Sequence, residues 1–335
     1  MKKLVFLIAC ALLLVAAVAP AVAAASRTPV RSSVGIRVYA AQSAVVNMAE
    51  LAREEAARPV PSGPSIVQVV PAPRRPPEPG ASAPPFLPQL LPPEAGPAPQ
   101  TPSPSPAQDF AGLDDIANLT TGFRYSPPDT DGAVGLTKVM SGLSNNYRIF
   151  TKATGAVVST VSTDTFWSAV GGSGFFKPKT LYDPINDRWL VVVLSNAKSA
   201  NSAINIGVSK TSDPSGGYWL FRVDVDATNA NWAYFPSIGF NKDYVAVHVN
   251  MYTNRDLEFA PAKILVVDYP ALRTGTLTAW TLSGSIWSWA YCASPAATYS
   301  ATESTLYVPK YAGTNTYQSQ FYQVDTITNS GSAPV

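Results

Sequence analysis

Apolar runs of four to eight residues, separated by short polar turns, dominate the chain from residue 130 onward. The clearest succession is Lys179 to Tyr182, Arg188 to Ser195, Ala203 to Ser209 and Tyr218 to Val225, which predicts four antiparallel strands. The pattern returns at Pro236 to Phe240, Tyr244 to Met251, Ala262 to Tyr269 and Thr276 to Leu282. A third appearance, Ala296 to Tyr299, Thr305 to Tyr311 and Gln320 to Asp325, stops one strand short. Upstream, Lys138 to Leu143 and Tyr147 to Lys152 predict strands, with Thr151 to Gly155 as a hairpin turn into Ala156 to Val161. The anchors Leu181-Tyr182, Gly239-Phe240 and Thr298-Tyr299 lie 58 and 59 positions apart. A fixed period of this length, carrying short strands, predicts an all-β repeat, because one such sheet cannot bury both faces unless it stacks on neighbours. The expected fold is a β-propeller of four-stranded antiparallel blades, about four of them visible and the last incomplete.

The N-terminal third has a different pattern. Lys2-Lys3, the apolar run Leu4 to Val18 and the small residues before Ser26 read as a signal peptide over 1–25, cut after Ala23 or Ala25. Pro20 interrupts the run, which argues against a membrane-spanning helix. Leu7-Ile8-Ala9-Cys10 also has the spacing of a lipoprotein cleavage box, although few apolar residues precede Cys10. Residues 26–58 are rich in Ala and Arg, and Val45, Met48, Leu51 and Ala52 fit one helix over Ala41 to Arg58. Prolines then recur through 59–109, which predicts an extended, disordered spacer. The folded domain is expected over 110–335, about 225 residues and ample for a core.

Charge narrows the partners. Without Lys2 and Lys3 the chain holds 22 basic and 22 acidic residues, and from Phe110 onward 15 and 16. No basic field is available for nucleic acid or an anionic membrane. Removal of Cys10 with the leader leaves Cys292 alone, so burial rather than disulfides must hold the fold.

Two motifs carry a resemblance. Pro127-Pro128-Asp129-Thr130-Asp131-Gly132-Ala133-Val134-Gly135 is followed by Leu181-Tyr182-Asp183-Pro184 and Asp187-Arg188-Trp189. Together they resemble the opening of secreted bacterial β-propeller proteins over roughly residues 125 to 325. The resemblance implies a propeller fold and an exported location. Such propellers usually close with more blades, which implies a partial ring or self-association with another copy. Ser212-Asp213-Pro214-Ser215-Gly216-Gly217-Tyr218-Trp219 is similar to the aspartate-box turn of sialidase-like propellers, with one extra residue between Asp213 and Gly216. That likeness gives Asp213, Gly216 and Trp219 structural roles, as the hairpin position gives to Asp183 and Asp187.

Candidate chemistry is sparse. Asp129 and Asp131 alternate before Gly132, a pattern able to offer hard oxygen ligands to Ca2+, but no downstream bidentate acid completes a calcium loop. His248, the only histidine, sits within an apolar strand pattern and lacks a nucleophile motif. A glycosidase needs only paired carboxylates, for which Asp129, Asp131, Asp183, Asp224, Asp226 and Glu258 are the candidates. Trp167, before the glycine-rich Gly171 to Gly174, and Trp287 and Trp289 are the candidate stacking platforms for a sugar or a protein. The function expected is non-catalytic recognition of a protein or glycan outside the cell. The alternatives are a carbohydrate-active hydrolase and a structural or adhesive surface protein.

Overall fold

Strands form where most of the apolar runs predict them, Ala296 to Tyr299 excepted, which makes only a single bridge from Ala297 to Phe240, and the runs are contiguous because the central strands are buried on both faces. The computed structural model describes residues 34–69, 73, 105–116, 122–283, 293–311, 322–330 and 333–335. The signal peptide with Cys10, residues 70–72 and 74–104 of the proline-rich stretch, Trp287, Trp289 and Cys292 lie outside the described residues. In chain order the first elements are β1 (Ile36–Val38), β2 (Ala40–Asn47), helix α1 (Met48–Ala56), β3 (Ile66–Val69) and β4 (Phe123–Ser126). Sheet I follows with β5 (Asp131–Val134), β6 (Lys138–Gly142), β7 (Asn146–Thr151) and β8 (Val157–Ser162), then the short helix α2 (Thr163–Trp167). Sheet II contains β9 (Phe176–Asp183), β10 (Arg188–Ser195), β11 (Ala203–Ser209) and β12 (Gly217–Val223). Sheet III contains β13 (Asn231–Phe240), β14 (Tyr244–Thr253), β15 (Phe259–Asp268), helix α3 (Tyr269–Leu272) as a connection, and β16 (Ala279–Leu282). A hairpin of β17 (Leu306–Tyr311) and β18 (Tyr322–Ile327) and a small pair, β19 (Asn329–Ser330) with β20 (Ala333–Pro334), complete the described elements. The fold is therefore predominantly β, built from antiparallel sheets of consecutive strands.

The period of 58 and 59 residues is the recurrence of one turn. After β9, Asp183 Oδ1 accepts from the Ile185 and Asn186 amides at 2.8 and 3.3 Å. After β13, Asn241 Oδ1 accepts from the Asp243 and Tyr244 amides at 3.0 and 2.8 Å. In the fourth unit Ser300 Oγ accepts from the Thr302 and Glu303 amides at 3.3 and 3.2 Å. Asp, Asn and Ser are interchangeable here because each places an oxygen where the turn leaves amides without partners.

Packing is layered. On β10, Leu190, Val192 and Leu194 face the core shared with sheet III, and Trp189, Val191 and Val193 face the core shared with sheet I. On β14, Val245 and Val247 face sheet II while Ala246 packs with Leu306 and Val308 of the fourth unit. The strand period of two thus assigns alternate residues to two different cores, and both faces must be apolar. The first strands of consecutive sheets lie side by side. Asp131 on β5 accepts from Lys179 Nζ at 2.9 Å and from the Thr180 amide at 2.8 Å on β9. Phe176 on β9 meets the Trp232 and Tyr234 rings of β13, and Phe240 forms a parallel bridge with Ala297.

Two sequence expectations are corrected in the N-terminal part. Ala40–Asn47 is not the first half of a helix but a strand on the outer edge of β12, in register from Asn47↔Gly217 to Ala40↔Val223. The helix is confined to Met48–Ala56, capped by the Asn47 side chain accepting from the Glu50 amide at 3.2 Å. The unpaired edge of β12 outweighs a helical pattern that the spacing alone allows, because it satisfies a full row of backbone donors and acceptors. Within the proline-rich stretch, Ile66–Val69 pairs in parallel with β4, since this short β-branched run contains no proline. With β1 paired to β16, sheets II and III each have five strands rather than four. The described part of the folded unit accordingly includes residues well before 110, from Val34 to Val69.

The link from sheet II to sheet III is organised by Asp226, buried where β12 leads into β13. Its carboxylate accepts from Thr228 Oγ1 at 2.9 Å, the Asn231 amide at 2.8 Å, Asn231 Nδ2 at 2.9 Å and Lys263 Nζ at 3.2 Å. Burial alone would raise its pKa, but these hydrogen bonds and the Lys263 charge together hold it below the ordinary carboxylate value. A depressed folded-state pKa supplies stability above the unfolded value, about 3.9, that is lost as the pH falls toward the folded value. Asp164 acts in the opposite sense, its pKa raised by burial and by the Glu55 carboxylate, so its protonation favours the folded state. Urea denaturation between about pH 3 and pH 7 should therefore show a flatter acid limb for Asp226→Asn than for the native chain. Parallel limbs would refute the assignment.

Candidate ligand-binding site

The described pocket of note has a volume of about 290 Å3 and is assembled from four separate segments. Gln68 and Val69 come from β3, Tyr125 from β4, Ser173 and Gly174 from the loop entering β9 with Phe176 at the first position of that strand, and Asn196, Ala197 and Ser199 from the loop between β10 and β11. Tyr125 and Phe176 belong to the core between sheets II and III and form an apolar floor. The rim is polar.

Backbone geometry explains how the rim is held. Gly171, Gly172 and Gly174 have φ of 72°, 101° and 56°, and Asn196 and Lys198 both have φ of 55°. A left-handed non-glycine residue costs on the order of 1 kcal/mol, so two of them in one loop need compensating contacts. Arg222 supplies them. Its Nη1 donates to Ser195 Oγ at 2.7 Å, and its Nη2 donates to Asn196 Oδ1 at 3.1 Å and to the Asn201 carbonyl. Asn196 in turn donates its amide to the Ser173 carbonyl at 2.9 Å and its Nδ2 to Ser173 Oγ at 3.1 Å. Gly172 is required by its φ of 101°, and a Cβ there would also displace the Arg222 guanidinium from its rim contacts. The rim is therefore organised before any ligand arrives.

Among the described residues the lining carries no carboxylate, ammonium, guanidinium or imidazole. Its one ionisable group, the Tyr125 hydroxyl, is pushed up to about 12 by burial and by the charge of Asp164, and stays protonated at neutral pH. Such a site can donate and accept hydrogen bonds over an apolar floor.

The other candidates fall elsewhere. Trp167 is corrected from an exposed platform to a core residue: it is fully buried, packs edge-on against Phe166 at 5.1 Å, and donates from Nε1 to Tyr147 Oη at 3.1 Å. Its position inside α2 turns the ring toward sheets I and II rather than toward the glycine-rich loop. Trp287 and Trp289 lie outside the described residues. Asp129 accepts from Lys177 Nζ at 2.8 Å and Ser144 Oγ at 3.1 Å, and Asp131 faces Lys179, so both proposed calcium ligands meet an ammonium group. Lys177 Nζ also lies 5.0 Å from the Tyr234 ring centre and 5.1 Å from that of Phe235. Among the described residues no group of three or more His, Cys, Asp and Glu is arranged to hold a metal ion.

Asp183 is fully buried in its turn and accepts from Tyr269 Oη at 2.7 Å, and Asp187, at φ 52°, accepts from Tyr182 Oη at 2.8 Å. Asp213 accepts from the Ser215 amide and hydroxyl at 3.0 and 2.7 Å, and its carbonyl accepts from the Gly216 amide at 3.2 Å. Trp219 sits under Lys210 Nζ at 5.0 Å and against Gly275, linking sheet II to the turn before β16. His248 is buried in β14 opposite Ser237 and Ile264. The pocket residues Gln68, Tyr125 and Asn196 escaped sequence reasoning. The glycines at 171–174 and the long polar run from Ser195 to Ser202 were the available signals.

No described helix is long and apolar enough to cross a membrane. No family model matches the sequence, and no curated protein matches it. Among solved structures the chain is similar to the GH43 endo-arabinanase from Bacillus licheniformis, with 12% identity and a TM-score of 0.25, over 62% of this chain and 96% of that chain.

Proposed function

We propose that the protein is an exported, non-catalytic recognition module of β-propeller architecture that binds an uncharged glycan in the pocket between β3, β4 and the two loops of sheet II. The observation that carries this reading is the neutral lining. A sugar ring presents hydroxyl donors and acceptors around its edge and C–H groups on its faces, which suits amide and hydroxyl groups over an aromatic floor. An anionic ligand would find the Arg222 guanidinium at the rim already shared among Ser195, Asn196 and Asn201, and a cationic one would meet no carboxylate among the described lining residues. The hydrolase alternative requires acids left available for catalysis; of the six candidates Asp129, Asp131, Asp183 and Asp226 are each engaged by several donors or a lysine, which leaves Asp224 and Glu258 as the pair that reading would have to use. The propeller reading is supported by sheets that are buried on both faces and by first strands that lie side by side. The leader and the proline-rich spacer support export and a module held away from its anchor point. If four units leave the ring open, its free side is the surface for self-association.

The test is calorimetric titration with neutral hexose and pentose oligosaccharides beside uronic acid and sulfated ones. Binding to a neutral member is expected, insensitive to salt, weakened about tenfold by Asn196→Ala, as loss of about 1.4 kcal/mol implies, and without release of reducing ends. Binding confined to anionic glycans, or hydrolysis of a bound one, would refute the proposal.

A further inference from the structure

The stretch Val34–Val69 covers the outer edges of sheets III and II and also supplies a wall of the pocket. Taking the pocket as the binding site, we infer that this stretch is a single docked strap whose seating completes the site, with Gln68 and Val69 as ligand-contacting residues, so that strap docking and ligand binding are linked.

The strap runs against the order of the sheets. β1 pairs with β16 of sheet III, β2 with β12 of sheet II, and α1 packs on β8 and α2 beside sheet I. Each step has its own fastening. The first amides of α1, Met48 and Ala49, donate to the Gly216 and Ser215 carbonyls at 3.0 and 2.9 Å. Glu55, 1% exposed, accepts from the Ser162 amide at 2.7 Å, from Ser162 Oγ and from Thr165 Oγ1 at 2.9 Å, so a carboxylate from the strap sits at the N-terminal end of α2. Beyond the helix, β3 joins β4 in register from Ile66↔Phe123 to Val69↔Ser126. That pairing brings Gln68 opposite Tyr125, and both line the pocket.

Most of the strap's attachment is polar. Met48 and Ala52 are its buried apolar side chains and Val38, Ala40, Ala44, Val46 and Leu51 pack half-buried on the cores, whereas Val34, Ile36, Val45, Ile66, Val67 and Val69 remain more than half exposed. A segment held mainly by backbone pairing and one buried carboxylate, with lighter apolar burial than the central strands, belongs to the part of a structure that opens before them. A ligand touching Gln68 and Val69 binds the docked form alone and must favour docking along the strap by mass action. Reciprocally, weakening the Glu55 anchor must weaken the ligand.

Amide hydrogen exchange on the full chain tests this, comparing the native protein with Glu55→Ala and with Ala52→Arg, which dislodges α1 without touching the α2 cap. Both variants should raise exchange roughly tenfold or more over 40–47, 48–56 and 66–69 together, and in the pocket loop 171–176. Faster exchange in α1 alone, with 66–69 and the loop protected as in the native chain, would overturn the inference. In the native protein, saturating cellohexaose as a neutral probe should slow exchange over 40–47, remote from the pocket. Binding of cellohexaose with no change there would also overturn it. If cellohexaose fails to bind while both variants release the strap and open the loop, the strap inference stands and the glycan assignment falls.

Discussion

Replacing Asp183 with alanine should lower the folding free energy by about 3–5 kcal/mol, the usual cost of removing one partner from a buried charged network. The carboxylate is fully buried and serves two structures at once. Within its turn it accepts from the Ile185 and Asn186 amides and from Asn186 Nδ2 at 2.6 Å. From sheet III it accepts the Tyr269 hydroxyl, whose pKa is driven far above its ordinary value by burial and by this carboxylate. Arg273 extends the link, stacking 5.0 Å from the Tyr269 ring centre and donating to Asn186 Oδ1. Alanine would leave these donors buried without an acceptor, each costing about 1–3 kcal/mol before relaxation. Urea denaturation should show a lower midpoint. A loss below about 1 kcal/mol would mean that the turn closes without Asp183 and that the Asp183–Tyr269 contact does not hold sheets II and III together.

Trp167→Ala is the second large effect, expected to cost about 3–5 kcal/mol through the cavity it leaves among Tyr147, Phe166 and Gly207. Its diagnostic value lies in the contrast with ligand affinity. The folded fraction should bind a glycan as the native chain does, because the ring does not line the pocket. Lost binding at unchanged stability would restore Trp167 as a binding platform and displace the core assignment.

These two residues show what the sequence could convey. The turn at Asp183 was legible because its chemistry is local and recurs at Asn241 and Ser300. Strands β10 and β14 were legible because burial on both faces leaves an unbroken apolar run. Strand β2 was not. Val45, Met48, Leu51 and Ala52 fit a helix, and only the open edge of β12, more than 170 positions away in sequence, decides the matter. The pairing of Asp129 with Lys177 and Asp131 with Lys179 was present as two alternating motifs of opposite charge at a common spacing of 48, yet it becomes visible only once β5 and β9 are known to be neighbours. The pocket was the least legible feature. Its residues are uncharged, conform to no motif, and come from segments that meet only after the strap has paired with β4.

A crystal of the full chain soaked with a neutral oligosaccharide that binds in solution tests the account most directly. The account predicts one sugar ring over Tyr125 and Phe176, hydrogen-bonded to Gln68 on the strap side and to Asn196 on the loop side. A sugar located instead beside Lys177 and Phe235, with the pocket empty, would contradict it.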